Sequence, residues 1–163
     1  MFREEIDEVS KSAYKKVSLL KNNLIGYFFA AILAGVYVAL GVTFAFGIGA
    51  AIHDFSGYKL IIGICFTMAL SLVSFAGAEL FTGNNFVMTV GAIKKTINWI
   101  DGIKLWIVCY LGNLVGSLII VLLFFLAGFL KSGYIPEFFI ETANSKINLA
   151  PFEIICRGIM CNI

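Results

Sequence analysis

Glu79, Thr82, Asn84 and Asn85 are the residues of this chain whose types and spacing could do chemistry. Together with Gly77 and Gly83 they interrupt an apolar run from Leu60 to Ile93. Polar side chains at membrane depth are expensive and mark ion or substrate paths. Non-helical backbone there must have its N–H and C=O groups satisfied, so it persists only where it is buried in protein or lines a cavity. Half-helix ends aimed into such a cavity bind ions. Two readings of Glu79 are open. Its carboxylate could accept hydrogen bonds from the loose N–H groups of Phe81 to Asn85 and brace a bend, or it could face a permeating species, where its charge would repel anions. Thr82 could likewise offer its hydroxyl to that species, or cap a helix restarting at Asn84 or Asn85.

The elements that must position these residues are membrane spans. Hydrophobic residues make up 60% of the chain and charged ones 13%, which excludes an ordinary soluble domain. Leu24 to Ile52 carries no charged residue, and Leu105 to Leu130 has only Tyr110, Asn113, Ser117 and Trp106 as polar or half-polar members. Each is long enough to cross about 30 Å of hydrocarbon. Leu60 to Ala78 is just sufficient for another span, and adding Phe86 to Ile93 makes it too long for one straight helix and too short for two. A broken second helix resolves the mismatch. Pro151 to Ile163 is too short to span, and reads as the beginning of a fourth helix cut short.

Residues 1–22 predict an amphipathic helix. Phe2, Ile6, Val9, Ala13, Val17 and Leu20 recur at three- and four-residue spacing, and Glu4, Glu5, Asp7 and Glu8 precede Lys11, Lys15, Lys16 and Lys21, as the helix dipole favours. Such a helix would lie at the membrane interface or against a neighbouring subunit. Residues 23–163 form the transmembrane domain. Arg3, Lys11, Lys15, Lys16 and Lys21, with Lys94, Lys95 and Lys104, outnumber Lys59, Lys131 and Lys146 on the opposite side, which predicts a cytoplasmic amino terminus in a multi-pass plasma (inner) membrane protein. Trp99 and Trp106 would anchor the third span at the interface. Gly112 and Gly116 form a G-x-x-x-G packing signal, within the protomer or between protomers.

Cys65, Cys109, Cys156 and Cys161 show no C-x-x-C spacing, so they indicate neither a metal site nor a disulfide framework and read as small core residues. His53, the only histidine, falls beside Asp54 between the first two spans and reads as a surface residue. The chain contains no H-E-x-x-H, G-x-S-x-G or phosphate-loop motif. No enzyme activity, cofactor, metal or nucleic-acid partner is expected.

Gly77-Ala78-Glu79-Leu80-Phe81-Thr82-Gly83-Asn84, then Gly112-Asn113-Leu114-Val115-Gly116, then Arg157-Gly158-Ile159-Met160-Cys161-Asn162 resemble the formate/nitrite transporter family in order and spacing over essentially the whole chain. Within that family the chain is most similar to the hydrosulfide-channel branch, although the nitrite branch shares the E-L-F-T-G-N motif. The resemblance implies an all-α, aquaporin-like protomer of two inverted halves with broken second and fifth helices, assembled as a pentamer with one pore per protomer. This chain would supply the first half and the start of the fourth helix. The resemblance places Leu80, Phe81 and Thr82 in the filter and Leu70 and Phe66 at further constrictions. It makes Lys146 the basic residue that attracts anions and Asn162 the partner of a central histidine on a fifth helix, for which His53 cannot stand in. Glu79, Gly83 and Asn84 would support the loop.

Dehydrating a small anion has an idealised cost on the order of 20 kcal/mol, against roughly 1.5–3 kcal/mol for one hydrogen bond to a charged group. The anion must therefore keep water, feel a positive field, or cross as its neutral acid. Hydrosulfide, formate and nitrite are conjugate bases of weak acids, which opens the last route. Two competing functions are a water or neutral-solute channel, which the lack of Asn-Pro-Ala signatures disfavours, and a non-transporting membrane scaffold, which requires the break to be packed shut.

Overall fold

Ser10, Ala13, Val17 and Leu20 recur on one face of the first helix, α1 (Arg3–Asn22), and that face is the buried one. The computed structural model describes residues 2–131 and 133–162, with side chains as far as Met160. The buried face of α1 packs on helices of the same chain, chiefly α4 (Phe81–Ile93), with further contacts to α2 (Leu24–Ala51) and α5 (Trp99–Leu126). The cover on this face is therefore the chain itself. Helix periodicity identifies an apolar face but not what covers it. Phe2 and Ile6, on the same sequence stripe, remain exposed.

Asn23 alone separates α1 from α2, and its side-chain oxygen accepts the Gly26 N–H at 2.9 Å. This side-chain cap lets the chain turn from the α1 direction into the first span. The helices α2, α3 (Tyr58–Phe75) and α5 are each long and apolar enough to cross a membrane. The α5 helix begins at Trp99, earlier than the Leu105 start expected from hydropathy, because Asp101 and Lys104 break the apolar run without breaking the helix. It stops at Leu126 rather than Leu130, since Gly128 adopts φ +80° and its N–H bonds to the Phe125 carbonyl.

The centre of the bundle is α2 packed between α5 and α3. Small residues permit that approach: a Cβ added to Gly116 would collide with the Ile32 carbonyl oxygen of α2. The Gly112–Gly116 motif therefore serves packing within the chain. A sixth helix, α6 (Ile135–Ile147), occupies what the sequence presented only as a connection, with Pro136 in its first turn. Phe138 and Phe139 place their rings edge-on to Phe46 of α2, at centroid distances of 5.8 and 5.1 Å. The last helix, α7 (Pro151–Asn162), exposes all its described side chains.

The second span is broken as expected. After Phe75 the chain forms a Schellman turn: Gly77 takes φ +61°, its N–H bonds to the Ser74 carbonyl, and the Ala78 N–H bonds to the Val73 carbonyl. Glycine suits this left-handed position because it has no Cβ to clash. Helical structure resumes at Phe81.

Candidate functional site

The five residues between α3 and α4 are held from three sides. From α2, the Ala30 carbonyl accepts the Glu79 N–H at 3.1 Å. From α5, the Asn113 side chain makes three bonds: its oxygen accepts the Phe81 N–H at 2.9 Å, and its nitrogen donates to the carbonyls of Glu79 at 2.9 Å and Ala31 at 2.8 Å. The Cys109 thiol, one turn earlier on α5, donates to the Glu79 carbonyl at 3.2 Å. The N–H and C=O of Glu79 and the N–H of Phe81 thus find protein partners on α2 and α5, as low-dielectric surroundings favour.

The third side is α1. Lys16 Nζ lies 2.6 Å from both carboxylate oxygens of Glu79, which also accepts from Asn84 Nδ2 at 2.9 Å and the Tyr27 hydroxyl at 3.4 Å. Glu79 and Asn84 are both buried, and the Asn84 nitrogen also reaches the Tyr27 oxygen at 3.0 Å and the Cys109 sulfur at 3.3 Å. The Glu79 carboxylate therefore takes its bonds from side chains rather than from the N–H groups of Phe81 to Asn85. Its negative charge is matched by the Lys16 ammonium.

The start of α4 is left open. The helix has no side-chain cap and no acidic residue in its first turn, and the N–H groups of Thr82 and Gly83 take no partner among the described residues. Helix restart at Phe81 rather than Asn84 or Asn85 puts Thr82 inside the first turn, so it is not the cap. Its exposed side chain makes no hydrogen bond among the described residues. Uncapped N–H groups and the positive end of a helix favour an anion.

Leu80 stands between two clefts. One, of about 320 Å³, is lined by Leu70, Leu80, Gly83 and Lys16 among others. The other, of about 280 Å³, is lined by Leu80, Phe81, Thr82, Tyr110 and Asn113 among others. Phe81 is half-buried and meets the Tyr110 ring edge-on at 5.4 Å. Of the residues expected at a site, Leu70, Leu80, Phe81, Thr82, Glu79, Gly83 and Asn84 are thus gathered at the break. Phe66, half-buried on α3, lines neither cleft. Lys146 lies in the last turn of α6, its Nζ 5.9 Å from the Phe46 ring centroid and away from both clefts. The Asn162 side chain lies outside the described residues.

The formate/nitrite transporter model matches residues 3–163. The chain belongs to the formate/nitrite transporter family. It is 29% identical over 164 residues to the uncharacterized transporter YwcJ of Bacillus subtilis (strain 168), covering 99% of this chain and 64% of that protein. Over 165 residues it is 32% identical to the nitrite transporter NirC of Salmonella typhimurium, covering 99% of this chain and 60% of NirC. It is 34% identical over 140 residues to the formate channel FocA of Escherichia coli (strain K12), covering 83% and 49% respectively. A solved structure named FNT family ion channel superposes with a TM-score of 0.75 and 35% identity, over 78% of this chain and 51% of that one. The chain accordingly spans between about half and two thirds of the length of these relatives.

Within this formate/nitrite transporter chain, Lys16, Tyr27, Cys109 and Asn113 hold the break, yet the sequence reading gave them no such role. In sequence Asn113 stands out only as a polar member of the third span within a glycine motif, and Cys109 as a core residue. Trp106 was expected as an interface anchor; it is half-buried, and its indole N–H donates to the Asn84 carbonyl at 3.1 Å. Trp106, Cys109 and Asn113 recur at i, i+3 and i+7, one face of a helix. That polar stripe on an otherwise apolar span was the available signal.

Proposed function

We propose that the protein is a transmembrane channel for small monovalent anions of weak acids, with hydrosulfide as first substrate and formate and nitrite as related ones. The observation that carries this reading is the start of α4. Two unpartnered N–H groups and the Thr82 hydroxyl lie beside Leu80, where two clefts approach each other, while the nearby carboxylate is neutralised by Lys16. Donors without a fixed carboxylate suit a passing anion. The clefts on both sides of Leu80 favour this over a scaffold packed shut at the break.

A few donors, each worth roughly 1.5–3 kcal/mol, do not offset the dehydration of an anion. Leu80, Phe81, Leu70 and Phe66 form the apolar constriction in this reading, which a small neutral acid crosses more readily than a hydrated ion. Lys146 supplies positive field near the mouth, and Asn162 pairs with a histidine of a second, inverted half. The assembly is a homopentamer in the plasma membrane, with residues 1–22 on the cytoplasmic side and residues 23–163 within the channel domain. The names NirC and FocA support nitrite and formate as substrate classes; hydrosulfide comes from the motif resemblance.

The test is flux in proteoliposomes, comparing hydrosulfide, formate, nitrite and chloride. Hydrosulfide, formate and nitrite should exceed chloride and rise as external pH falls. Chloride flux equal to the others would overturn the weak-acid mechanism, and rapid osmotic swelling without anion flux would point to a neutral-solute channel.

A further inference from the structure

Two clefts meet along the flank of α1, away from Glu79. The first, about 360 Å³, lies between the second half of α1, the α4–α5 turn and the first turn of α5, and its lining includes Lys21, Lys95, Asp101, Tyr14 and Thr96. The second, about 350 Å³, is lined by Val17, Leu20, Leu24, Ile107 and Val108 with Lys21, Asp101 and Lys104. Val17, Lys21 and Asp101 border both, so a polar and an apolar hollow adjoin across the Lys21–Asp101 pair.

Three lysines face one carboxylate here. Lys21 pairs with Asp101 at 2.7 Å, whereas Lys95 and Lys104 have no carboxylate partner among the described residues. Lys95 also occupies an unusual backbone position. It ends α4 in a Schellman turn with φ +61°, its N–H bonded to the Ala92 carbonyl and the Thr96 N–H to that of Gly91. Glycine is the residue favoured there, so a lysine at this position carries a backbone cost. Leu24 opens the first span and Trp99, half exposed, opens α5, which puts the polar cleft at headgroup level and the apolar one at the upper acyl chains.

We propose that these adjoining clefts hold one anionic glycerophospholipid, its phosphate beside Lys21, Lys95 and Lys104 and an acyl chain along Leu20, Leu24 and Ile107. A free phosphate would use only the polar half and leave the exposed Leu24 and Ile107 wet. A zwitterionic lipid would fill the apolar half without answering the excess positive charge. Basic clusters at the membrane surface select anionic headgroups.

The experiment is lipid titration of the purified protein by native mass spectrometry, comparing phosphatidylglycerol and phosphatidylcholine of identical acyl chains, with soluble glycerol 3-phosphate as a third probe. Phosphatidylglycerol should bind more tightly, by about fivefold for each unpaired lysine engaged. Lys95→Gly, which relieves the left-handed backbone and so should stay folded, and Lys104→Gln should each lose about fivefold for phosphatidylglycerol and nothing for phosphatidylcholine. Equal binding of the two lipids, as when a neighbouring copy closes the clefts, would overturn the proposal. So would an undiminished preference in both variants, or glycerol 3-phosphate binding as tightly as the intact lipid.

Discussion

The side-chain oxygen of Asn113 accepts the backbone N–H of Phe81 at 2.9 Å, joining the middle of α5 to the first residue of α4. The same side chain donates to the Glu79 and Ala31 carbonyls, so one amide connects α2, the break and α5. A neutral amide is suited to this place, since it offers both donors and an acceptor without bringing a charge to the spans.

Asn113→Leu keeps the volume of the side chain but orphans the Phe81 N–H and leaves the Ala31 carbonyl without its amide partner. The Ala31 carbonyl keeps its helical bond within α2 and the Glu79 carbonyl keeps the Cys109 thiol, so one group is left unsatisfied and the loss is roughly 1–3 kcal/mol. The expected result is a drop of several degrees in the Tm of detergent-purified protein, with reduced anion flux in what remains folded. An unchanged Tm would mean that the bonds to Asn113 do not hold the break.

The Lys16–Glu79 pair ties α1 to the break, with side chains 23% and 9% exposed. Removing one member of a buried pair strands the other charge, a loss of about 3–5 kcal/mol, whereas removing both is far milder. Lys16→Met should therefore destabilise by about 3 kcal/mol, at the low end because the lysine retains some water. Lys16→Met combined with Glu79→Gln should recover part of that loss. Additive effects in this double-mutant cycle would show that the two residues are not coupled.

The break itself was legible in sequence because apolar length and the polar residues disagree: Leu60 to Ile93 is too long for one span and contains Glu79 and Asn84. The partners of those residues were not. Lys16 lies 63 positions from Glu79 in the chain, and its place in a helix with many charges looked sufficient explanation for it. Tyr27 and Cys109 sat inside hydrophobic runs, where a hydroxyl or thiol carries little weight against its neighbours. α6 is not legible in sequence because Phe138 and Phe139 pack against Phe46 of a distant helix, contacts that its own periodicity does not display. Hydropathy also misplaced the ends of α5, since helix limits follow capping and backbone bonds more than polarity.

At the outer end of α1, Asp7 takes the Lys94 ammonium at 2.8 Å, a tie between α1 and the end of α4. The hydrogen bond from Lys94, and then its charge, hold the Asp7 carboxyl below the ordinary 3.8. A depressed carboxylate contributes stability above its unfolded pKa and loses it as pH falls through the folded one. The tie should thus be intact at neutral pH and weaken below about pH 3.8. Amide exchange at residues 3–12, corrected for the intrinsic pH dependence, should quicken in that acid range, and Asp7→Asn should abolish the difference. Exchange insensitive to both changes would place no weight on the pair.

Thr82 offers the cleanest separation of transport from folding. Its side chain is exposed in the first turn of α4 and makes no hydrogen bond among the described residues, so Thr82→Val removes a hydroxyl without orphaning a protein group. Tm and oligomeric state should stay as they are. If the hydroxyl meets the permeating anion, losing a bond of roughly 1.5–3 kcal/mol slows passage by about tenfold or more. Leu80→Ala should act in the opposite sense on selectivity, since Leu80 lines both clefts and its shortening widens the space between them for larger anions. Proteoliposome flux of formate against a bulkier carboxylate such as lactate reads both variants. Thr82→Val at wild-type flux would remove Thr82 from the path, and Leu80→Ala without added lactate flux would place the constriction elsewhere along the break.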